Sequence, residues 1–244
     1  GAGVKFFDEK LRLRGNVGEG FKSPTADQLS ADYYHSLGGV RYLGNPDLDP
    51  ETSMTYDIGA DLFLEALTLK VGWFHTDYED KIVQQTLVVD GINTTTYVNH
   101  GDAEIAGFEV NLEWAMGQTF RLPFAASIWS NMTFNTTNED EETGTDIQYI
   151  SDYEVKSGLD FNYEGIGAQL SHVLVGPQMI TNYDTYAIEE KGSFDYWDLT
   201  LRYHFNKNWE IKGSVLNLFD QEVEWVRGHL MPERNYRIGL TYHF

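Results

Sequence analysis

Two groups of side chains have the chemistry to grip a ligand. Tyr33, Tyr34, His35, Arg41 and Tyr42 crowd one polar stretch, and Trp225, Arg227 and Arg234 crowd another near the C-terminus. Aromatic faces stack on flat molecules, and guanidinium groups meet anions in a planar fork. Together they predict a pocket for a flat or anionic ligand, set against the plainer reading of a rim with interfacial aromatics. Glu139-Asp140-Glu141-Glu142 with Asp146 offers oxygen ligands for a hard cation. Its spacing is not that of an EF-hand, and a solvated loop tip is the simpler reading. Reaction chemistry is missing: there is no G-x-S-x-G elbow and no H-E-x-x-H pair. His75 and Asp77 lie close in sequence without a partner nucleophile. Glu109 and Glu113 share one strand face about 13 Å apart, beyond either glycosidase separation. No catalytic residue, metal site or cofactor is expected.

The elements that must carry these residues are strands. From Asn235 to Phe244, Tyr236, Ile238, Leu240, Tyr242 and Phe244 alternate with Arg237, Gly239, Thr241 and His243. This strict period of two gives a strand with one apolar and one polar face. The same alternation runs through 54–62, 106–114, 196–205 and 209–215, and less cleanly through 11–17, 67–76, 122–134, 152–161 and 166–175. That predicts ten strands and no helix, with residues 1–7 as the tail of an earlier strand entering a turn at 8–10. Links near 64–67, 115–121, 162–165 and 205–208 are short. Those near 18–52, 79–102, 135–151, 176–195 and 220–233 are long. Short turns on one rim and long loops on the other are the asymmetry of an outer-membrane barrel. Arg12, Arg14, Lys70, Lys156, Arg202, Lys212 and Arg237 all fall in the polar phase of their strands, which predicts a wet inner face and a lipid-facing outer one.

Composition agrees. Of 244 residues 14% are aromatic and 23 are glycine, with no cysteine, so disulfides and thiolate sites are excluded. The net charge of −21 opposes nucleic-acid binding, which needs a basic face. No apolar run approaches the roughly 18 residues of a membrane-spanning helix, and no leader segment opens the chain. Residues 1–244 are therefore expected to be one portion of a larger antiparallel barrel, with a sheet that curves without closing.

Gly18-Glu19-Gly20-Phe21-Lys22-Ser23-Pro24-Thr25, Gln28-Leu29 and Gly44-Asn45-Pro46-Asp47-Leu48-Asp49-Pro50-Glu51 resemble the paired boxes of TonB-dependent outer-membrane receptors. Ala103 to Glu109, Asn217-Leu218-Phe219-Asp220, and Pro232-Glu233-Arg234-Asn235-Tyr236 leading to Phe244 continue the match in family order. The ending is most similar to the catecholate-siderophore and colicin I receptor branch. The resemblance implies a 22-stranded barrel in the outer membrane of a Gram-negative bacterium, of which this chain supplies about the last ten strands. It implies an N-terminal plug and a TonB-binding segment outside this chain, active uptake of a ferric siderophore, and haem or cobalamin as alternative cargo. Outer-membrane lipid and lipopolysaccharide are the implied surroundings, and the barrel assembly machinery would engage the strand ending at Phe244. Haem receptors of the family make His35 a candidate haem ligand, against the plainer reading of an exposed loop histidine. For the boxes themselves, turn chemistry at Asn45-Pro46-Asp47 and the fixed φ of Pro24 favour structural roles. A passive porin and an outer-membrane barrel enzyme are the readings from other classes.

Overall fold

The computed structural model describes residues 1–182, 185, 187–226 and 228–244. The chain runs β1 (Ala2–Phe6), β2 (Leu11–Lys22), α1 (Ala26–Ser30), β3 (Asp32–His35), β4 (Val40–Leu43), β5 (Glu51–Phe63) and β6 (Leu67–Glu79). It continues through β7 (Ile82–Val89), β8 (Ile92–Asn99), β9 (Ala103–Trp114), α2 (Met116–Thr119), β10 (Ala125–Asp140) and β11 (Thr145–Asp146). Next come β12 (Tyr153–Tyr163), β13 (Ile166–Val175), β14 (Gln178–Thr181), β15 (Ile188–Lys191) and β16 (Phe194–His204). It ends with β17 (Trp209–Leu216), β18 (Glu224–Val226), β19 (His229–Leu230) and β20 (Asn235–Tyr242).

Eleven of these strands form one antiparallel path, β1-β2-β5-β6-β9-β10-β12-β13-β16-β17-β20, with β11 attached to β10. The ten expected strands are all on it, and β1 is the expected earlier strand. Among the described residues β1 and β20 do not pair with each other, so the sheet is open, as the sequence suggests. Two single-turn helices, α1 and α2, depart from the expectation of none. α1 is set by a capping box: the Thr25 hydroxyl accepts from the Gln28 N–H, and the Gln28 side chain accepts from the Thr25 N–H. That arrangement satisfies two donors which a helix start otherwise leaves unpaired.

The register explains the alternation. Leu67, Trp114, Ile128, Leu159, Leu170, Leu199, Val215 and Tyr236 are successive cross-strand partners, one apolar row across eight strands. Val4, Leu13, Ala60, Val71, Val110, Met132, Val155 and Leu174 form another. These rows meet no second sheet: Leu159 is 47% exposed, Val4 57% and Tyr236 69%. Tyr203, Leu240 and Trp114 do not share a dry interior; Trp114 packs against Phe120 at the rim of the short turns. Rings mark both edges of the band. Tyr203–Phe205, Trp209–Tyr242 and Tyr242–Phe244 lie at 4.8–5.0 Å on the short-turn rim. Trp73 and Trp197 stack on His75 and His172 toward the loops. Trp197 and Phe205 are eight positions apart, roughly 27 Å along a strand; with tilt this matches the roughly 25 Å apolar band of a membrane barrel.

The other face is polar and thin. Asp61 is fully buried beneath Arg12, whose Nε donates at 2.7 Å, and Arg14, whose Nε donates at 3.3 Å. Arg14 lies flat across two glycines: a Cβ on Gly59 would fall 2.8 Å from its Cζ, and one on Gly72 3.2 Å from its Nη2. Trp129 likewise covers Gly158, where a Cβ would meet the indole at 2.6 Å. The buried apolar residues Leu48, Tyr97, Ala103, Ala106, Val175, Ile180 and Val223 all sit at the long-loop end, so the packed core belongs to the loops and not to the wall.

Placing Leu170→Arg mid-band on the outer face is expected to destabilise the full barrel by about 2–4 kcal/mol. Gln169→Arg, one residue along and beside Asp160, is expected to be tolerated. The temperature at which the folded band is lost on unheated gels separates the two.

Candidate ligand-binding surface on the exterior loops

The first loop leaves β2 at Lys22 and returns at Glu51, and the two ends are pinned by a Lys22–Glu51 ion pair of 2.8 Å. Within it β3 and β4 form a hairpin. β7 and β8 form a second hairpin in the next loop, turned at Asp90 and Gly91, both at positive φ. β4 pairs parallel with β8, giving one four-stranded sheet built from two loops. Side chains cement it. Asn45 Nδ2 donates to the Tyr97 carbonyl at 2.9 Å, Asn99 Nδ2 donates to the carbonyls of Asp49 and Asp80, and Glu51 accepts from the Ile82 N–H. The Gly44-to-Glu51 box is thus a joint: Asn45 also makes an Asx turn to the Asp47 N–H, and a Cβ on Gly44 would lie 2.4 Å from Ser30 N.

The candidate residues divide between two places. Tyr33 and Tyr42 are register partners and stack at 5.0 Å with their planes 16° apart. Tyr34 pairs across from Arg41, and His35 is exposed at the tip of the hairpin. Arg41 is not free for an anion: its Nε and Nη2 both donate to Asp32 Oδ1, at 3.0 and 2.8 Å. Trp225, on β18, sets its ring edge-on to Phe194 at 5.1 Å. The Arg234 N–H donates to Asp220 at 2.7 Å, which ties the last loop to the turn after Asn217. Among the described residues no hydrogen bond, ion pair or ring contact joins Trp225 or Arg234 to the first group. Arg227 lies outside the described residues.

Sequence reasoning missed the links between loops. Lys81 Nζ reaches Asp140 at 2.8 Å, and His100 Nε2 lies 2.8 Å from Glu142. The acidic stretch is thus partly engaged by its neighbour, not a free tip, and no group of acidic and histidine side chains among the described residues is arranged to hold a metal ion. The Tyr149 hydroxyl accepts from the Thr181 N–H, and Gln148 accepts from the Thr181 hydroxyl. Lys191 sits 3.9 Å over the Phe194 ring and donates to the Glu224 carbonyl. Burial holds its ammonium below the usual lysine range, partly offset by the Glu224 carboxylate. Each long loop is therefore fastened to the next.

This geometry can present stacked aromatic faces to a ligand on a fastened rim. Residues 1–218 match the family model for the TonB dependent receptor-like β-barrel. The chain belongs to that family. Among curated relatives, the ferric enterobactin receptor PirA of Pseudomonas aeruginosa is 26% identical over 97% of this chain and 35% of its own length. The iron-regulated outer membrane virulence protein of Vibrio cholerae is 26% identical over 99% of this chain and 38% of its own. The chain thus spans little more than a third of these relatives. Among solved structures, the siderophore receptor PirA from Acinetobacter baumannii superposes with a TM-score of 0.80 at 21% identity, covering 99% of this chain and 40% of that one. The copper transporter OprC superposes at 0.75 and 16% identity, over 99% of this chain and 38% of its own. The barrel fold and its sheet order are accordingly those of the family, whose members are receptors and transporters.

The Lys81–Asp140 clamp gives a pH expectation. Burial raises the Asp140 carboxyl, but the Lys81 ammonium and hydrogen bonds from Thr143 more than reverse this and hold it below the usual range. A depressed folded value stabilises above the unfolded value and is lost as pH falls from about 4 downward through the folded value. Amide exchange, corrected for intrinsic rate, should therefore quicken around Lys81 and Gly144 at such pH. Asp140→Asn should produce the same quickening at neutral pH.

Proposed function

We propose that this chain is the wall and exterior-loop portion of a TonB-dependent transporter that actively imports a ferric siderophore, of catecholate type, across the outer membrane of a Gram-negative bacterium. Residues 1–244 form one unit of the barrel, and the remaining strands, a lumen-filling plug and the segment that engages TonB lie elsewhere in the protein. The observation that carries this reading is that relatives aligned over 97–99% of the chain include a ferric enterobactin receptor and an iron-regulated outer-membrane protein. Fold alone does not select the cargo, since a copper transporter shares it. The Tyr33–Tyr42 stack, in which Tyr33 is exposed and Tyr42 half-buried, supports a flat aromatic ligand such as a catecholate. With Arg41 neutralised by Asp32, the anionic charge of a ferric chelate falls to other groups. The cargo passes unchanged, so no enzymatic step is involved. Lipid and lipopolysaccharide surround the apolar band, and assembly machinery recognises the strand that ends at Phe244.

Deleting the gene should abolish uptake of a labelled ferric catecholate under iron starvation, and the full-length gene should restore it only in a strain with TonB. Unchanged uptake after deletion would rule this cargo out. An aromatic contact is worth about 0.5–1.5 kcal/mol, so Tyr42→Ala should weaken ligand binding by about 2- to 10-fold. The haem alternative makes a different demand. Growth on haem as sole iron source should survive His35→Ala under the siderophore reading, whereas its loss in that variant alone would favour haem.

A further inference from the structure

Gly213 stands where its own backbone does not call for a glycine. It lies inside β17, and its φ is not positive. The register runs unbroken through Leu201, Gly213 and Ile238 on β16, β17 and β20, so there is no bulge. A glycine inside a strand weakens it, and commonly marks a bulge, a tight bend or the close approach of another group. On the inner face Gly59 and Gly158 have such a group, in Arg14 and Trp129. At Gly213 the described residues supply none: a Cβ there meets nothing within 4 Å.

Gly213 belongs to the outer, apolar phase of the wall. Ile166, Leu201, Tyr203, Ile211 and Ile238 surround it and leave a notch of about 440 Å³. Its walls come from four adjacent strands of this chain, β13, β16, β17 and β20, and it opens outward, away from the lumen. Toward the short-turn rim the flanking ridges end in rings, Tyr203–Phe205 and Trp209–Tyr242. Between Phe205 and Trp209 lies Lys207, exposed and in no ion pair among the described residues. Lys207 is six positions from Gly213, roughly 20 Å along a strand. A strand tilt of about 40° turns this into roughly 15 Å of depth, half of a hydrocarbon core of roughly 30 Å. That is the reach of one leaflet's acyl chain.

We propose that this strip of the outer wall is a phospholipid-binding site: an acyl chain ends in the notch over Gly213, and the phosphate of the same lipid meets Lys207. An unfilled notch forfeits dispersion contacts on all its sides, and at mid-band an unbranched lipid tail is the group with the shape to reach its floor. In a chain of net charge −21, an unpaired ammonium at headgroup depth is complementary to a phosphate. The short turns face the periplasm, so the lipid is one of the periplasmic leaflet. Lipopolysaccharide would bring its phosphates to the opposite rim. The site rests on the lipid-facing wall described above and is independent of the cargo.

The test places the full-length protein in phosphatidylethanolamine vesicles with a trace of phosphatidylglycerol that carries a diazirine at the end of one acyl chain. After illumination, peptide mass spectrometry should find Leu201, Ile211 and Ile238 labelled several-fold more than Leu159, which is 47% exposed on the same face. Gly213→Leu fills the notch with a group suited to lipid. It should lower the labelling of Ile238 several-fold, while Leu159 is labelled and the folded band melts as before. Lys207→Gln should cut the preference for phosphatidylglycerol over the matching phosphatidylcholine probe about fivefold, the effect of one lysine at an anionic surface. Label spread evenly over the outer face, or unchanged in Gly213→Leu, overturns the site and leaves the wall intact. So does competition by lipopolysaccharide and not by unlabelled phosphatidylglycerol, which assigns the notch to the other leaflet. Label on Gln169 and Thr200 overturns the proposal together with the lipid-facing wall on which it rests.

Discussion

A backbone crossing hydrocarbon has no water to bond with, so every N–H and C=O in the band must find its partner in a neighbouring strand. That requirement holds eleven strands in one antiparallel ladder and fixes a two-sided register throughout. Once the ladder is in place, a single residue's slip would turn the row through Leu159, Leu170 and Leu199 inward and its polar neighbours Asp160, Gln169 and Thr200 into lipid. The inner face is then free to be charged. Asp61 under Arg12 and Arg14 shows charge of both signs held there, one carboxylate accepting from two guanidiniums with Lys70 as its register partner on the other side.

Beyond the lipid the constraint relaxes and the chain organises differently. Strands such as β5, β6 and β10 continue into water, and their loops pair with one another through β4 and β8, Lys81 and Asp140, Thr181 and Tyr149, and Lys191 and Glu224. The buried apolar residues gather at this end. The wall is stabilised by its register and the lipid around it, and the rim by ordinary packing of side chains.

This division decides what the sequence reveals. Alternation locates every strand of the ladder, because the lipid imposes it. It underestimates their length: β2 extends to Lys22 beyond the expected 17, and β10 to Asp140 beyond 134. Above the band both faces meet water, and Thr133 to Asp140 no longer alternate. The β7–β8 hairpin had a readable signal in Asp90-Gly91, a pair suited to a tight turn, within a stretch treated as one loop. The parallel pairing of β4 with β8 had none, since it joins residues some fifty positions apart whose contact depends on two loops meeting. The site residues follow the same rule. Tyr33 with Tyr42 is a contact that a hairpin register would reveal, and so is the loss of Arg41 to Asp32, nine residues away. That Trp225 sits against Phe194 requires the three-dimensional arrangement of two further loops.

Arg14 spread across Gly59 and Gly72, and Trp129 across Gly158, make the inner lining a single layer of flattened groups at these positions. The thickness of the lining at these places is then set by the backbone and one layer of atoms above it. A methyl group added at any of these three glycines would lift the guanidinium or indole off the wall, so the flatness of the lining there is written into the absence of a side chain beneath it.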